Sequence, residues 1–223
     1  LVKGAYWDTE IKRAQERGLS DYPLFTRKAA SDLSYLACAR RLLRLRPRIY
    51  PQFASHNAVT MAQVREIARE GWTSTDPGFE YQKLHGMGDA LHRALVEEDG
   101  HPCRIYAPVG GHRDLLAYLV RRLLENGANS SFVAKVGDAA TPVAALLVRP
   151  EEQLAHGAKP RHARIPLPRH LYGAARKNSA GLEFGWSHER DGLVAGIAAH
   201  RGATWEAAPI LDGKGRPGTA RPV

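Results

Sequence analysis

The chain has 223 residues, 43% of them hydrophobic, with two cysteines and a net charge of +9. That length buries one good core, or one domain and part of another. No apolar run is long enough for a membrane span, no signal peptide opens the chain, and two distant cysteines without metal-ligand spacing read as reduced side chains of a cytoplasmic protein.

In chain order, four strand-then-helix units are predicted over residues 1–130. The first strand is Leu1–Tyr6, followed by helical segments at Asp8–Arg17 and Leu24–Leu45. A second strand at Ile49–Ala54 leads to a helix over Thr60–Glu70, stopped by Gly71. A third at Phe79–Leu84 precedes a helix at Ala90–Glu98, and the fourth is Arg104–Pro108. Repeated βα units with short loops imply parallel strands covered by helices. A doubly wound sheet and half of a (β/α)8 barrel both fit. The abrupt start at Leu1, inside a strand, favours the half barrel and a segment of a longer protein.

The last unit carries the densest pattern. After the fourth strand, Leu115, Leu116, Leu119, Val120, Leu123 and Leu124 form one apolar helical stripe. Tyr118, Arg121, Arg122 and Glu125 fall on the opposite face at i, i+3, i+4 and i+7. Most such faces are solvated ion pairs of little energetic weight. Here both arginines precede the glutamate, the weaker order for a helical pair, and two planar guanidiniums beside a tyrosine suit a carboxylate ligand.

In barrels of this type function gathers at strand C-termini. Those ends carry Tyr6-Trp7, Ser55-His56-Asn57, His85-Gly86-Met87-Gly88 and Tyr106-Ala107-Pro108. Ten histidines contain no HExxH and no Cys/His cluster, so no metal site is predicted. The literal G-x-G-x-x-G at Gly213–Gly218 lacks a following helix and is read as a turn. Residues 151–223 lose amphipathic period; Arg164–Pro168 reads as an extended linker, Asp191–His200 as a short helix, and a domain boundary is placed near residue 150. The charge permits a second reading, a non-enzymatic basic βα module for nucleic acid or acidic lipid. Only Arg40, Arg41, Arg44, Arg46 and Arg48 are locally dense, however, and they suit the end of one helix.

Six motifs in order, LVKGAYWD (Leu1–Asp8), YPLFTRK (Tyr22–Lys28), SHN (Ser55–Asn57), LHGMG (Leu84–Gly88), CRIYAPVG (Cys103–Gly110) and YLVRRLLENGANSSF (Tyr118–Phe132), resemble the proline dehydrogenase domain of the bifunctional proline utilization A family. RIPLPRHLYGAARKNSAGLEF (Arg164–Phe184) and WEAAPILDGKG (Trp205–Gly215) resemble the lead-in to that family's aldehyde dehydrogenase domain. The resemblance implies the C-terminal half of a distorted (β/α)8 barrel over 1–150, and over 151–223 a linker and an incomplete 1-pyrroline-5-carboxylate dehydrogenase. It implies FAD-dependent oxidation of L-proline, reoxidation by a membrane quinone with possible peripheral contact at the inner membrane, and NAD used only by the missing downstream domain. Nucleic acid would enter only through an N-terminal DNA-binding domain of the longer protein.

By motif match, Arg121 and Arg122 would hold the proline carboxylate and Glu125 would orient them. Tyr106, Tyr118, Ala5 and Leu84 would surround the ring, with Tyr6 at the gate. Val2, Gly4, Trp7, Thr26, Lys28, His56, Asn57, Gln82, Ser130 and Phe132 would line the FAD. The family's earlier strands, with an acid and a lysine of the active site, are absent, as is the arginine that would precede Leu1. The nicotinamide-binding fold and catalytic cysteine of the second domain are absent too, and Cys38 and Cys103 cannot replace that cysteine. The 223 residues alone are therefore expected to be inactive.

Overall fold

In the computed structural model, residues 1–4, 6–127, 132–155, 161–205, 207–216 and 218 are described. Helix α1 spans Trp7–Glu16 and α2 Lys28–Arg44. The βα units then follow as β1 (Gln52–Ala54), α3 (Ala58–Arg69), β2 (Glu80–Leu84), α4 (Asp89–Glu97), β3 (Cys103–Tyr106) and α5 (His112–Gly127). Short helices α6 (Phe132–Gly137), α7 (Val143–Leu146) and α8 (Pro150–Ala155) come next. They precede a 3-10 turn at Pro168–His170, helix α9 (Ser187–Ala199) and a hairpin of β4 (Ile210–Leu211) and β5 (Lys214–Gly215).

The strands β1, β2 and β3 pair in parallel in that order, with Phe53 opposite Tyr81 and Leu84 opposite Tyr106. Alternation along them separates two faces. Phe53, Tyr81 and Lys83 turn toward the helices, where Phe53, Phe79, Tyr81, Met61 and Val64 are fully buried with Tyr35, Leu36, Ala39 and Leu43 of α2. Phe79 meets Phe53 and Tyr81 edge-to-face at 5.6 and 5.3 Å between ring centres, the geometry aromatic quadrupoles favour. The other sheet face is polar: Glu80 accepts from Gln52 and is clamped by Arg104, whose Nη2 lies 3.0 Å from Glu80 Oε2. A polar inner face bearing Gln82, Leu84 and Tyr106 at its strand ends is the frame of the site.

Several sequence expectations change. Leu1–Tyr6 forms no strand among its described residues; only Leu1 joins the ladder, donating to Gln52 O at 2.6 Å and accepting from Ala54 N at 3.0 Å. Among the described residues 2–4 and 6 the backbone makes no further ladder bond. Helix α2 begins at Lys28 rather than Leu24, because Arg27 at its N-cap is extended (φ −112°, ψ 128°). The remaining helices and parallel strands up to α5 lie where periodicity places them; α6, α7 and α8 match no predicted element, and α9 begins at Ser187 rather than Asp191. Residues 210–215 form a hairpin whose turn, Asp212-Gly213, has both φ angles positive, so the glycine pattern there is a turn.

The segment after residue 150 folds back. Arg27 donates to Gln153 O at 3.0 Å, tying α8 to the entry of α2. Residues 161–189 wrap the C-terminal end of α1, where Ile11, Ala14, Leu19 and Tyr22 make a second apolar cluster with Ile165 and Trp186. Tyr22 OH donates to Pro166 O at 2.6 Å, Asn178 Nδ2 to Gln15 O at 2.7 Å, and Arg17 pairs with Glu183 at 2.6 Å. Gly181 N donates to Gly18 O at 3.1 Å, and a Cβ on either glycine would overlap a backbone carbonyl of the other segment.

Candidate active site

The site gathers where α5 crosses the ends of β1 and β2. Helix α5 is turned inside out relative to the usual amphipathic rule. Leu116, Leu123 and Leu124 of the apolar stripe are 61%, 72% and 67% exposed, whereas Tyr118, Arg121 and Arg122 of the polar face are half-buried. Arg122 Nη1 lies 2.8 Å from Glu125 Oε2, and its guanidinium sits 5.2 Å from the Tyr118 ring centre. Arg121 sits 5.7 Å from the ring of Tyr6, the N-cap of α1. Both are cation–π distances. Among the described residues Arg122 Nε is buried with no hydrogen-bond partner.

Glu125 continues the chain of contacts. Its Oε1 is 3.5 Å from His56 Nδ1, and the Leu84 N–H points at His56 Nε2 from 3.4 Å. A backbone donor at Nε2 leaves the ring proton on Nδ1, facing the carboxylate. Hydrogen bonding to His56, aided by the charge of Arg122, holds the Glu125 carboxyl below its ordinary range despite partial burial. On the neighbouring strand pair, Gln82 Nε2 approaches Tyr106 OH at 3.4 Å. The structure therefore brings together Arg121, Arg122, Glu125, Tyr118, Tyr6, His56 and Leu84, with Gln82 two residues before Leu84 on β2 and Tyr106 opposite Leu84 on β3.

Other predicted residues are engaged by the protein itself. Asn57 Oδ1 accepts from Thr60 N at 3.1 Å and caps α3. Trp7 Nε1 donates to Phe25 O at 2.9 Å, Thr26 Oγ1 accepts from His162 N at 2.9 Å, and Lys28 pairs with Asp32 at 2.6 Å. Val2 is exposed, Gly4 has open space beside it, and Phe132 begins α6. Ala5 and Ser130 lie outside the described residues.

Two residues near the site are not singled out by sequence motifs. Lys3 bonds Asp32 at 2.6 Å and Thr60 at 2.8 Å, which anchors the first residues onto α2 and α3. Its charge within LVKGAYW, a run otherwise read as a strand, is the signal that it needs a partner. His92 of α4 is 2% exposed and packs against His56. Its periodicity with Leu91 and Leu95 reads as ordinary core, so no sequence signal separates it.

The proline dehydrogenase family profile matches residues 1–135. The chain belongs to the proline dehydrogenase family. It is 48% identical to the bifunctional protein PutA of Salmonella typhimurium over 235 aligned positions, covering 100% of this chain and 18% of that protein. It is 32% identical to human mitochondrial proline dehydrogenase 1, covering 57% of this chain and 22% of that one. Among solved structures, a bifunctional proline utilization A protein superposes with a TM-score of 0.81 at 56% identity, over 95% of this chain and 21% of that chain. The fold is thus that of the PutA proline dehydrogenase domain, a barrel-type α/β architecture of parallel strands, and the chain spans about a fifth of the length of these bifunctional relatives. None of these matches supports a nucleic-acid or lipid-binding module. The row Arg40–Arg48 is also not a single basic face, since Arg40 pairs with Glu70 and Arg46 is buried.

Proposed function

We propose that this chain supplies the substrate clamp and part of the flavin cradle of an FAD-dependent proline dehydrogenase, as a segment of a longer bifunctional protein. The observation that carries the reading is Arg122. It is a mostly buried guanidinium fixed by Glu125 and Tyr118, with its Nε still unpaired among the described residues. A buried donor without a partner costs about 1–3 kcal/mol, and a substrate carboxylate arriving there removes that cost with a charge-assisted bond.

In this reading Arg121 and Arg122 hold the proline carboxylate, and Glu125 fixes the plane of the Arg122 fork. Tyr106, Tyr118, Leu84 and Ala5 enclose the pyrrolidine ring, and Tyr6, stacked under Arg121, stands at the entrance. His56, Asn57 and Gln82, at the ends of β1 and β2, face the FAD, with Val2, Gly4, Trp7, Thr26, Lys28, Ser130 and Phe132 along the rest of it. The donor set fits such a group: ring nitrogens, amides and cations, with no cluster of three or more His, Cys, Asp or Glu side chains placed to hold a metal ion among the described residues. A flavin held there would supply the hydride acceptor for the ring carbon next to nitrogen. The clamp's task is positional, since fixing the carboxylate fixes which ring carbon faces the acceptor. The ring nitrogen would release its proton to solvent as 1-pyrroline-5-carboxylate forms, with water as the acceptor, so no side chain is required as general base.

The proposal extends to the longer protein. Residues 1–150 form the barrel segment and 151–223 lead into a second unit that oxidises the hydrolysed product to glutamate with NAD. A quinone accepts electrons from the flavin, and the enzyme works in the cytoplasm with peripheral contact at the inner membrane; no helix among the described residues is long and apolar enough to cross a membrane. Expression of the full-length protein should give a yellow protein whose flavin bleaches on addition of L-proline under anaerobic conditions. A colourless protein, or a flavin that proline leaves oxidised, overturns the reading.

A further inference from the structure

His92 has no role in the reaction just described, yet it is among the largest fully buried side chains. Its Nδ1 lies 2.9 Å from Gly88 O, the N-cap residue of α4, which fixes its ring. The His92 ring meets His56 edge-on, 5.9 Å between centres at 68°. Gly88 brackets both rings: its φ is +63°, and a Cβ there would lie 3.2 Å from His56 Cδ2 and 3.2 Å from His92 Nδ1.

His56 needs such support. Its two polar contacts, to Leu84 N and Glu125, are 3.4 and 3.5 Å long, and contacts of that length do not fix an imidazole plane. The ring is nevertheless oriented so that Nδ1 faces Glu125. Packing therefore sets the plane, and the packed surface is the ring of His92, met in a T-shaped arrangement. Burial lowers the proton affinity of His92, which keeps the ring neutral and avoids a second charge beside the clamp.

We infer that His92 is a positioning residue: its flat ring, seated by Gly88, holds His56 in the plane from which Nδ1 steadies Glu125, and thereby the fork of Arg122. The inference rests on the proline dehydrogenase reading for its substrate.

The test uses the full-length flavoprotein. His92→Leu fills the volume but offers no flat ring, and should raise the KM for proline about tenfold while kcat stays within about twofold. His92→Phe restores the ring and should return KM to within about twofold of wild type. Gly88→Ala keeps both rings but wedges them, and should reproduce the leucine phenotype even if His92→Leu fails to fold. Combining His92→Leu with Glu125→Gln should raise KM no further than Glu125→Gln alone, because both act through one chain of contacts. The visible circular dichroism of the bound flavin, read without substrate, should shift in the leucine variant and recover in the phenylalanine variant. An unchanged KM in the leucine or alanine variant, equal effects of leucine and phenylalanine, or additive effects with Glu125→Gln would each overturn the inference. A wild-type flavin with normal dichroism that proline does not bleach defeats the functional reading instead, while the dichroism series still tests the ring contact.

Discussion

Arg122 and Glu125 divide one task between them. Arg122 offers donors, and Glu125 spends its charge holding them in place at 2.8 Å. Replacing Arg122 with Met keeps the stem and removes the fork. In the full-length enzyme, Arg122→Met should raise the proline KM roughly 10- to 150-fold, the equivalent of about 1.5–3 kcal/mol for a hydrogen bond to a charged group. The flavin absorbance per protein should stay at the wild-type ratio, and parallel loss of flavin would refute the clamp. Glu125 has its own pH signature. Its folded-state carboxyl lies below the ordinary range because of the His56 hydrogen bond first, with Arg122 adding to it. A carboxyl depressed by folding contributes stability above its unfolded pKa of about 4.3 and loses it as pH falls through the lower folded value. The melting-temperature gap between wild type and Glu125→Gln should therefore be flat above about pH 5 and close as the pH drops below about 4. A gap that widens on acidification would mean that Glu125 is not held ionised.

At the scale of elements, the parallel βα order was legible because each unit carries its own punctuation: Gly71 after α3, the Asn57 cap before it, and the Phe53/Tyr81 alternation in the strands. The Arg122–Glu125 pair was legible for a related reason, since Arg121, Arg122 and Glu125 share one helical face. What a single sequence does not encode locally is direction. Nothing in α5 says that its leucines face outward and its arginines inward, because that depends on which surfaces surround the helix. His92 was hidden for the converse reason: a buried histidine on an apolar face has the same spacing as core. Arg46 shows a similar misreading. As part of a run of five arginines it looks like solvated charge, but it is 8% exposed and donates to Leu43 O at 2.9 Å, Ala68 O at 2.9 Å and Pro77 O at 2.5 Å. Its guanidinium also lies 3.9 Å from the Trp72 ring centre. It joins the end of α2 to the end of α3 and the approach to β2. Arg46→Met removes the side-chain donor from Ala68 O and Pro77 O, while Leu43 O keeps the backbone N–H of residue 46, and should cost about 3 kcal/mol, read as a lower urea midpoint with unchanged m-value. A loss below about 0.5 kcal/mol would return Arg46 to the class of surface charges.

For the whole molecule, the controlling contact is the one between Gly18 and Gly181. Two backbones meet there at a distance that tolerates no Cβ on either side, and Gly18 also has φ +59°. Gly181→Ala should detach the 161–189 segment from α1 while leaving the sheet intact. Limited trypsin digestion should then cut at Arg176 and Lys177 at least about tenfold faster than in wild type, because local opening exposes backbone that the wild type protects. Unchanged cleavage would mean that the strap is held by Arg17–Glu183 and Tyr22–Pro166 without the glycine contact.

That strap also imposes an order on synthesis. The partners of Arg17 are 165 and 166 residues downstream, and the Asn178 that bonds Gln15 is 163 downstream. At about 5–20 residues per second, α1 leaves the ribosome roughly ten to thirty seconds before the segment that covers its apolar end. During that interval Ile11, Ala14 and Leu19 have no lid, and the helix leading to Tyr6 and Trp7 waits with one flank open. A nascent chain halted before residue 161 thus carries the arginines of α5 but an uncovered α1.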